Sequence, residues 1–212
     1  MISERPVTIS PDSGPALEAA IALPAGAGLG VVVCHPHPRY GGNMDSPVVV
    51  TAAAACVARG LATLRFNFRG VGGSAGAWDE GRGEREDVRA ALAYLRARLG
   101  SPARAALAGY SFGAVMAAAV AAAGEPLAGL ALIAPPLATV RLPLPGCAAI
   151  DGPTLVVAGS HDTHCPGEAL STLAATLPGA TVVMIDGSDH FFFAGLDALE
   201  AALAGWAGKV ES

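Results

Sequence analysis

The sequence predicts an α/β protein built on a doubly wound, mostly parallel sheet. Three observations carry that expectation. Apolar, strand-like runs alternate with helical patterns; the runs show no polar alternation, as expected of strands covered on both faces; and two short β-like stretches around a turn open the chain as an antiparallel hairpin. At 212 residues the chain is long enough for one well-buried core and short for two, so residues 1–212 are read as a single domain.

The hairpin strands are "VTI" and "EAAIAL", separated by the turn-forming "SPDSGP". The later strands are "GVVVCH" (30–35), "LATLRFNF" (61–68), "ARAALA" (103–108), "LAGLALIA" (127–134), "TLVVAGS" (154–160) and "ATVVMID" (180–186). Helices are expected at about 47–59, 84–99, 112–123, 167–177 and 196–207. Pro47 at a helix start, Glu84 to Asp87 in a first turn and Gly100 after a last turn are the expected punctuation. The segment 137–153 is proline-rich with little helical period and reads as a loop, too short to hold a lid domain.

Composition removes several classes of function. A hydrophobic content of 52% with 15% charged residues argues for a folded core and against disorder. A net charge of -5 without a Lys/Arg-rich run gives no footprint for nucleic acid. The longest strongly apolar stretch, 114–123, is half of the roughly 20 residues a spanning helix needs, so no membrane partner is expected. Glu4, Arg5 and Pro6 interrupt the place where a secretory signal needs apolar residues, which points to the cytoplasm. Cys34, Cys56, Cys147 and Cys165 lack CxxC pairing and read as buried free thiols in a reducing compartment.

Ligands of such sheets bind beyond the carboxyl ends of the strands. "GYSFG" (109–113) sits between a strand and the apolar helix "AVMAAAVAAA", the strand–turn–helix setting of a GxSxG nucleophile elbow. Two readings of Ser111 compete, an ordinary helix N-cap and a nucleophile. The positions that follow favour the second: "GSHD" delivers Asp162 past one strand and "DGSDH" delivers His190 past the next, so a base and its orienting acid come in the order Ser, Asp, His. Asp186 and Asp189 are fallback acids in poorer positions.

An oxyanion needs two donors. The backbone amide of Phe112, at a helix N-terminus, is the first. The second is expected from "HPHPRYGGNMDS" (35–46), where Pro36 and Pro38 lack an N–H and leave the His37 amide, with Arg39 or Tyr40 as alternates. The His35 and His37 side chains brace this loop more readily than they bind metal, since no third ligand has a recognisable spacing. His161 and His164 raise the same question beside Asp162, where a metal would compete with His190, so no metal is expected. "GVGGSAG" (70–76) has the weak form of a dinucleotide fingerprint but runs into a further loop through Trp78, with no acidic strand end about 20 residues on. Arg69 either braces this turn or meets an acidic part of a substrate. His35, Tyr40, Arg69, Tyr110 and Pro135 are taken as pocket candidates, and no cofactor is expected.

Together "HPHPRYGGNMDS", "RFNFRGVGGSAG", "GYSFG", "GSHD" and "DHFFF" resemble the small, lidless bacterial α/β-hydrolases related to dienelactone hydrolases and serine esterases, over residues 30–195. The resemblance implies an α/β-hydrolase fold of eight-stranded type with β1 and β2 antiparallel. It also implies a triad of Ser111, Asp162 and His190 with an oxyanion hole from Phe112 and the histidine-proline loop. Dienelactone hydrolases carry a cysteine at the elbow where this chain has Ser111, so the resemblance does not extend to their particular substrate.

The expected activity is hydrolysis of small or short-chain carboxylic esters, or of thioesters and small amides, through an acyl-enzyme, with a small-molecule ester as partner. The rivals are a catalytically silent binding module of the same fold and a nucleotide-dependent oxidoreductase using "GVGGSAG". An exposed edge strand or the apolar "FFFAGL" (191–196) leaves a homodimer open.

Overall fold

The structure is a computed structural model that describes residues 4–144, 150–177 and 179–211. Cys147 and the middle of the 137–153 segment lie outside the described residues. Eight strands form one sheet: β1 (Arg5–Ile9), β2 (Leu17–Ala22), β3 (Leu29–Cys34), β4 (Ala62–Phe66), β5 (Arg104–Tyr110), β6 (Leu130–Ile133), β7 (Thr154–Gly159) and β8 (Thr181–Ile185). Five helices connect or follow them: α1 (Pro47–Val57), α2 (Arg82–Arg96), α3 (Phe112–Ala122), α4 (Gly167–Ala175) and α5 (Leu196–Glu211).

The strand order is β1-β2-β4-β3-β5-β6-β7-β8, and β2 alone runs against the others, paired antiparallel with both β1 and β4. β4 and β5 therefore lie on opposite sides of β3, which makes the carboxyl ends of β3 and β5 the switch point where a crevice opens.

Alternation along β3 shows how one continuous apolar run serves two cores. Val31 and Val33 point into a core built with α1 and α5, and Val32 and Cys34 into the core under α2, α3 and α4; all four are fully buried. β5 repeats the pattern, with Ala106, Ala108 and Tyr110 on the first face and Ala105 and Leu107 on the second. α2 shows its amphipathic origin directly. Val88, Ala91, Leu92 and Leu95 are buried while its arginines line the outside, and Glu84 reaches back to the Gly81 N–H at 2.7 Å, half of a capping box.

The expectation of full two-sided cover fails at β8. Val182 and Met184 are each 40% exposed, because β8 is the sheet edge and has a single strand neighbour, β7. At the opposite edge β1 carries Pro6, which an edge strand tolerates because the missing N–H costs no central ladder bond.

α5 closes the α1 face with Leu199, Leu203, Trp206 and Val210, and the Trp206 indole N–H donates to the Pro153 carbonyl at 2.9 Å. Leu203→Ala removes a fully buried side chain from this layer and is expected to lower stability by about 2–5 kcal/mol in denaturant unfolding, leaving the crevice at the other end of the strands intact.

Candidate active site

Ser111 is placed by two close backbone approaches. A Cβ on Gly109 would lie 2.3 Å from the Gly113 carbonyl oxygen, and a Cβ on Gly113 would lie 2.2 Å from that of Cys34. No side chain fits at either position, so α3 starts directly against the end of β3. The turn holds Ser111 at φ 54° and ψ -112°, a strained conformation for a residue with a Cβ, while its amide donates to the Ile133 carbonyl at 2.9 Å. Its hydroxyl makes no capping bond to α3, which removes the N-cap reading.

That hydroxyl lies 3.1 Å from His190 Nε2, and His190 Nδ1 lies 2.8 Å from Asp162 Oδ2. The other carboxylate oxygen, Asp162 Oδ1, accepts from the amides of His164 at 2.8 Å and Cys165 at 3.0 Å. Asp162 is 4% exposed, so its carboxylate is held by three partners with little water.

The loops carrying Asp162 and His190 are laced together by backbone. The His161 amide donates to the Ser188 carbonyl at 2.8 Å, and a Cβ on Gly159 would lie 2.2 Å from that same oxygen. The buried Tyr110 hydroxyl donates to the His190 carbonyl at 3.0 Å. Burial, with Asp162 and Asp189 nearby, pushes its ionisation well above the usual phenol range and keeps it a donor. The fallback acids are engaged elsewhere: Asp186 faces the Ser160 hydroxyl at 3.3 Å, and Asp189 Oδ1 accepts from the amides of Phe191 and Phe193. Cys165, beside Asp162, has its thiol pushed up to about 12 by burial and by that carboxylate, which leaves it an inert core residue.

Ser111 and His190 open into a cleft of about 1000 Å³. One wall is a chain of rings: His37 stacks near Tyr40, Trp78 and Phe112 at centroid distances of 4.6, 4.8 and 5.1 Å. The other carries Phe191 and Phe193, which are 56% and 83% exposed. Tyr40 and Tyr110 line the cleft as the sequence suggested. Trp78, Phe191, Phe193, Val140 and His164 also line it and were not among the pocket candidates. Only the aromatic run at 191–193 carried a signal, and its apolar character is equally that of core, as Phe192 with no exposure shows.

Three pocket candidates require correction. His35 is fully buried: its Nε2 accepts from the Phe68 amide at 3.0 Å, so Nδ1 carries the proton and donates to the Pro36 carbonyl at 2.6 Å. Arg69 does not line the cleft; its guanidinium grips the buried Asp87 through Nε and Nη2, at 2.7 Å for the closest pair, and that carboxylate holds the Arg69 pKa above its ordinary value. Pro135 is buried and the adjacent Pro136 takes the cleft position, because Ala134 at φ 44° turns the chain there.

The glycine-rich turn is also accounted for. Glu18 of β2 reaches into it, accepting from the Gly73 amide at 2.7 Å and from Asn67 Nδ2 at 2.7 Å, so a carboxylate of the chain itself fills the place a phosphate would take. Asn67 Oδ1 accepts in turn from the Met44 amide at 2.8 Å, which ties this turn to the loop after β3. Among the described residues no group of three or more His, Cys, Asp or Glu is gathered in ligating positions, and no helix is long and apolar enough to cross a membrane.

Residues 13–143 match the family model described as X-Pro dipeptidyl-peptidase (S15 family), a span that includes Ser111 and ends before Asp162 and His190. A curated but uncharacterised protein of Rickettsia prowazekii (strain Madrid E) is 33% identical over 176 residues, which is 76% of this chain and 71% of that one. Among solved structures, an α/β serine hydrolase homologue from Coxiella burnetii is 35% identical with a TM-score of 0.83, the match covering 95% of this chain and 96% of that one. A serine hydrolase without a lid from Xanthomonas campestris is also 35% identical, with a TM-score of 0.82 and coverage of 95% and 92%.

Burial lowers the His35 pKa from 6.5 to about 4, with His37 adding to the effect and the Pro36 bond opposing it. Between those values the unfolded chain takes up a proton that the folded one refuses, so stability falls as pH drops from about 6.5 to 4. Denaturant unfolding at pH 7.0 and 4.5 is expected to show this acid loss, on the order of 2–3 kcal/mol, in the wild type and a clearly smaller one in His35→Gln, which has no group to titrate there.

Proposed function

The chain belongs to the family of X-Pro dipeptidyl-peptidases (S15 family) and has the α/β-hydrolase fold of the lidless serine hydrolases it resembles, and on that footing we propose that it is a cytoplasmic, single-domain serine hydrolase of carboxylic esters. The observation that carries this reading is the hydrogen-bonded array from Ser111 Oγ through His190 to Asp162, at 3.1 and 2.8 Å.

His190 takes the Ser111 proton as the oxygen attacks the ester carbonyl, and Asp162 holds the ring with Nδ1–H directed at itself and balances the imidazolium that forms. The carbonyl oxygen becomes an oxyanion, received by the amides of Phe112 and His37. Phe112 is the first residue of α3, where the helix leaves its amide unpaired and the dipole favours negative charge. The imidazolium then gives its proton to the leaving alcohol. Water attacks the acyl-enzyme by the same route, and the acid and Ser111 are regenerated.

The absence of a lid in the Xanthomonas relative and the open cleft support small or short-chain acyl groups, with thioesters and small amides as secondary substrates. An X-Pro dipeptide is the other reading, since the family carries that activity in its description. It needs a carboxylate to hold the substrate's α-ammonium. Among the described residues the one acid lining the cleft is Glu80, which faces Arg82 at 3.2 Å and is largely exposed. The ester reading is therefore preferred.

Reaction with a fluorophosphonate is expected to label Ser111 stoichiometrically, with no labelling in Ser111→Ala. Asp162→Asn is expected to lower kcat by about 10³–10⁴-fold on p-nitrophenyl acetate. A folded wild type that stays unlabelled would mean a binding module in place of an enzyme. Along an ester series, kcat/KM for acetyl and butyryl chains is expected to exceed that for palmitoyl by about tenfold or more, a gap of about 1.4 kcal/mol; faster release of p-nitroaniline from Gly-Pro-p-nitroanilide than of p-nitrophenol from the acetate would transfer the assignment to dipeptide substrates.

A further inference from the structure

His35 is fully buried, lies outside the cleft, and spends both ring nitrogens on backbone. It is neither base nor ligand, and its two bonds differ in what they hold. Nε2, as acceptor, ties the ring to the Phe68 amide just beyond β4. Nδ1–H donates to the carbonyl of Pro36, and that carbonyl belongs to the same peptide plane as the N–H of His37.

A trans peptide points its C=O and N–H in opposite directions. Fixing the carbonyl of the Pro36–His37 peptide therefore fixes the direction of the His37 N–H. Polarising that carbonyl by a 2.6 Å bond also makes the N–H a stronger donor. Two further contacts hold the loop around it. A Cβ on Gly42 would lie 2.2 Å from the Pro36 oxygen, so Gly42 is needed for the loop to fold back over that carbonyl. The next carbonyl, of His37, accepts from the amides of Tyr40 at 3.0 Å and Gly42 at 3.1 Å.

On the reading of the preceding subsection, we propose that His35 is a positioning residue whose Nδ1–H, through the Pro36 carbonyl, aims and strengthens the His37 amide as an oxyanion donor. The ring acts at a distance from the substrate. Its two bonds have separable tasks, the Phe68 bond serving the fold and the Pro36 bond serving the transition state.

Amide side chains separate them, because Asn places an N–H₂ near Nδ1 and Gln places an acceptor oxygen near Nε2. Removal of an oxyanion donor costs about 10²–10³-fold in kcat, and misdirecting one costs less. His35→Gln, which keeps the fold bond and loses the Pro36 bond, is expected to lower kcat and the rate of Ser111 phosphonylation by about 10–100-fold with KM within about twofold. His35→Asn is expected to retain kcat within about fivefold, although it loses the Phe68 bond and unfolds at least as readily. Gly42→Ala, which displaces the same carbonyl from the other side, is expected to show the split of His35→Gln.

Measured side by side, kcat, KM, phosphonylation rate and thermal midpoint decide the matter. If Gln and Asn lower kcat equally, in step with their loss of stability, His35 is a structural residue alone and the proposal is overturned. If Gln keeps wild-type kcat, it is overturned as well. A wild type that fails to label at Ser111 overturns the hydrolase reading itself and this proposal with it, an outcome visible before any His35 variant is compared.

Discussion

The close seating of α3 on the end of β3 is the constraint on which the site depends. Gly113 lies against the Cys34 carbonyl and Gly109 against the Gly113 carbonyl, each at a separation that excludes a Cβ. Because α3 begins that close, three things are set at once. Ser111 is held at positive φ at the tip of the turn, Phe112 becomes the first residue of the helix, and the loop leaving β3 passes beside it, with the His37 and Phe112 rings 5.1 Å apart. The strain at Ser111 persists because the surroundings over-determine it, through the Ile133 carbonyl on its amide and the buried apolar body of α3 behind it.

Around that contact, most of the polar residues in the sequence motifs build rather than react. His35, Asn67, Glu18 and Ser74 form one network under the loop after β3, with the Ser74 hydroxyl donating to the Asn67 carbonyl at 2.7 Å and accepting from the Glu18 amide at 2.9 Å. Arg69 and Asp87 close the next layer by tying the turn to α2. Buried polar groups of this kind are tolerable only when every partner is present, and once satisfied they specify a single loop conformation. That is the service an oxyanion donor needs, since its value lies in being aimed before charge develops.

The acid side of the site has a looser logic. Asp162 and His190 arrive on successive strand ends, and backbone bonds between their loops, rather than side-chain packing, set their spacing. Tyr110, one residue before Ser111, anchors the His190 carbonyl, so the strand that ends at Ser111 also holds His190. The cleft itself is shaped by residues from separate loops, with Trp78 after the glycine-rich turn and Phe191 and Phe193 after β8 all lining it.

Strand and helix periods, the order of Ser111, Asp162 and His190, and the glycines flanking the serine were legible in the sequence alone. Each is a local property: apolar spacing selects the element, and a residue without a side chain marks a backbone contact wherever its partner lies. The exposure of β8 was not legible, because an edge strand and a central strand can share one apolar pattern and differ only in how many neighbours they have. His35, Arg69 and Pro135 lay beside site residues in sequence, yet all three turn away from the cleft. Whether a side chain next to a site points into it or beneath it depends on the partners that folding brings up: the Phe68 amide, Asp87 and the turn at Ala134, which lie on other elements or follow a local φ that composition does not encode. The sequence alone determined which chemical groups gather at the strand ends, and the tertiary structure decided which of them reach the crevice and which hold it in shape.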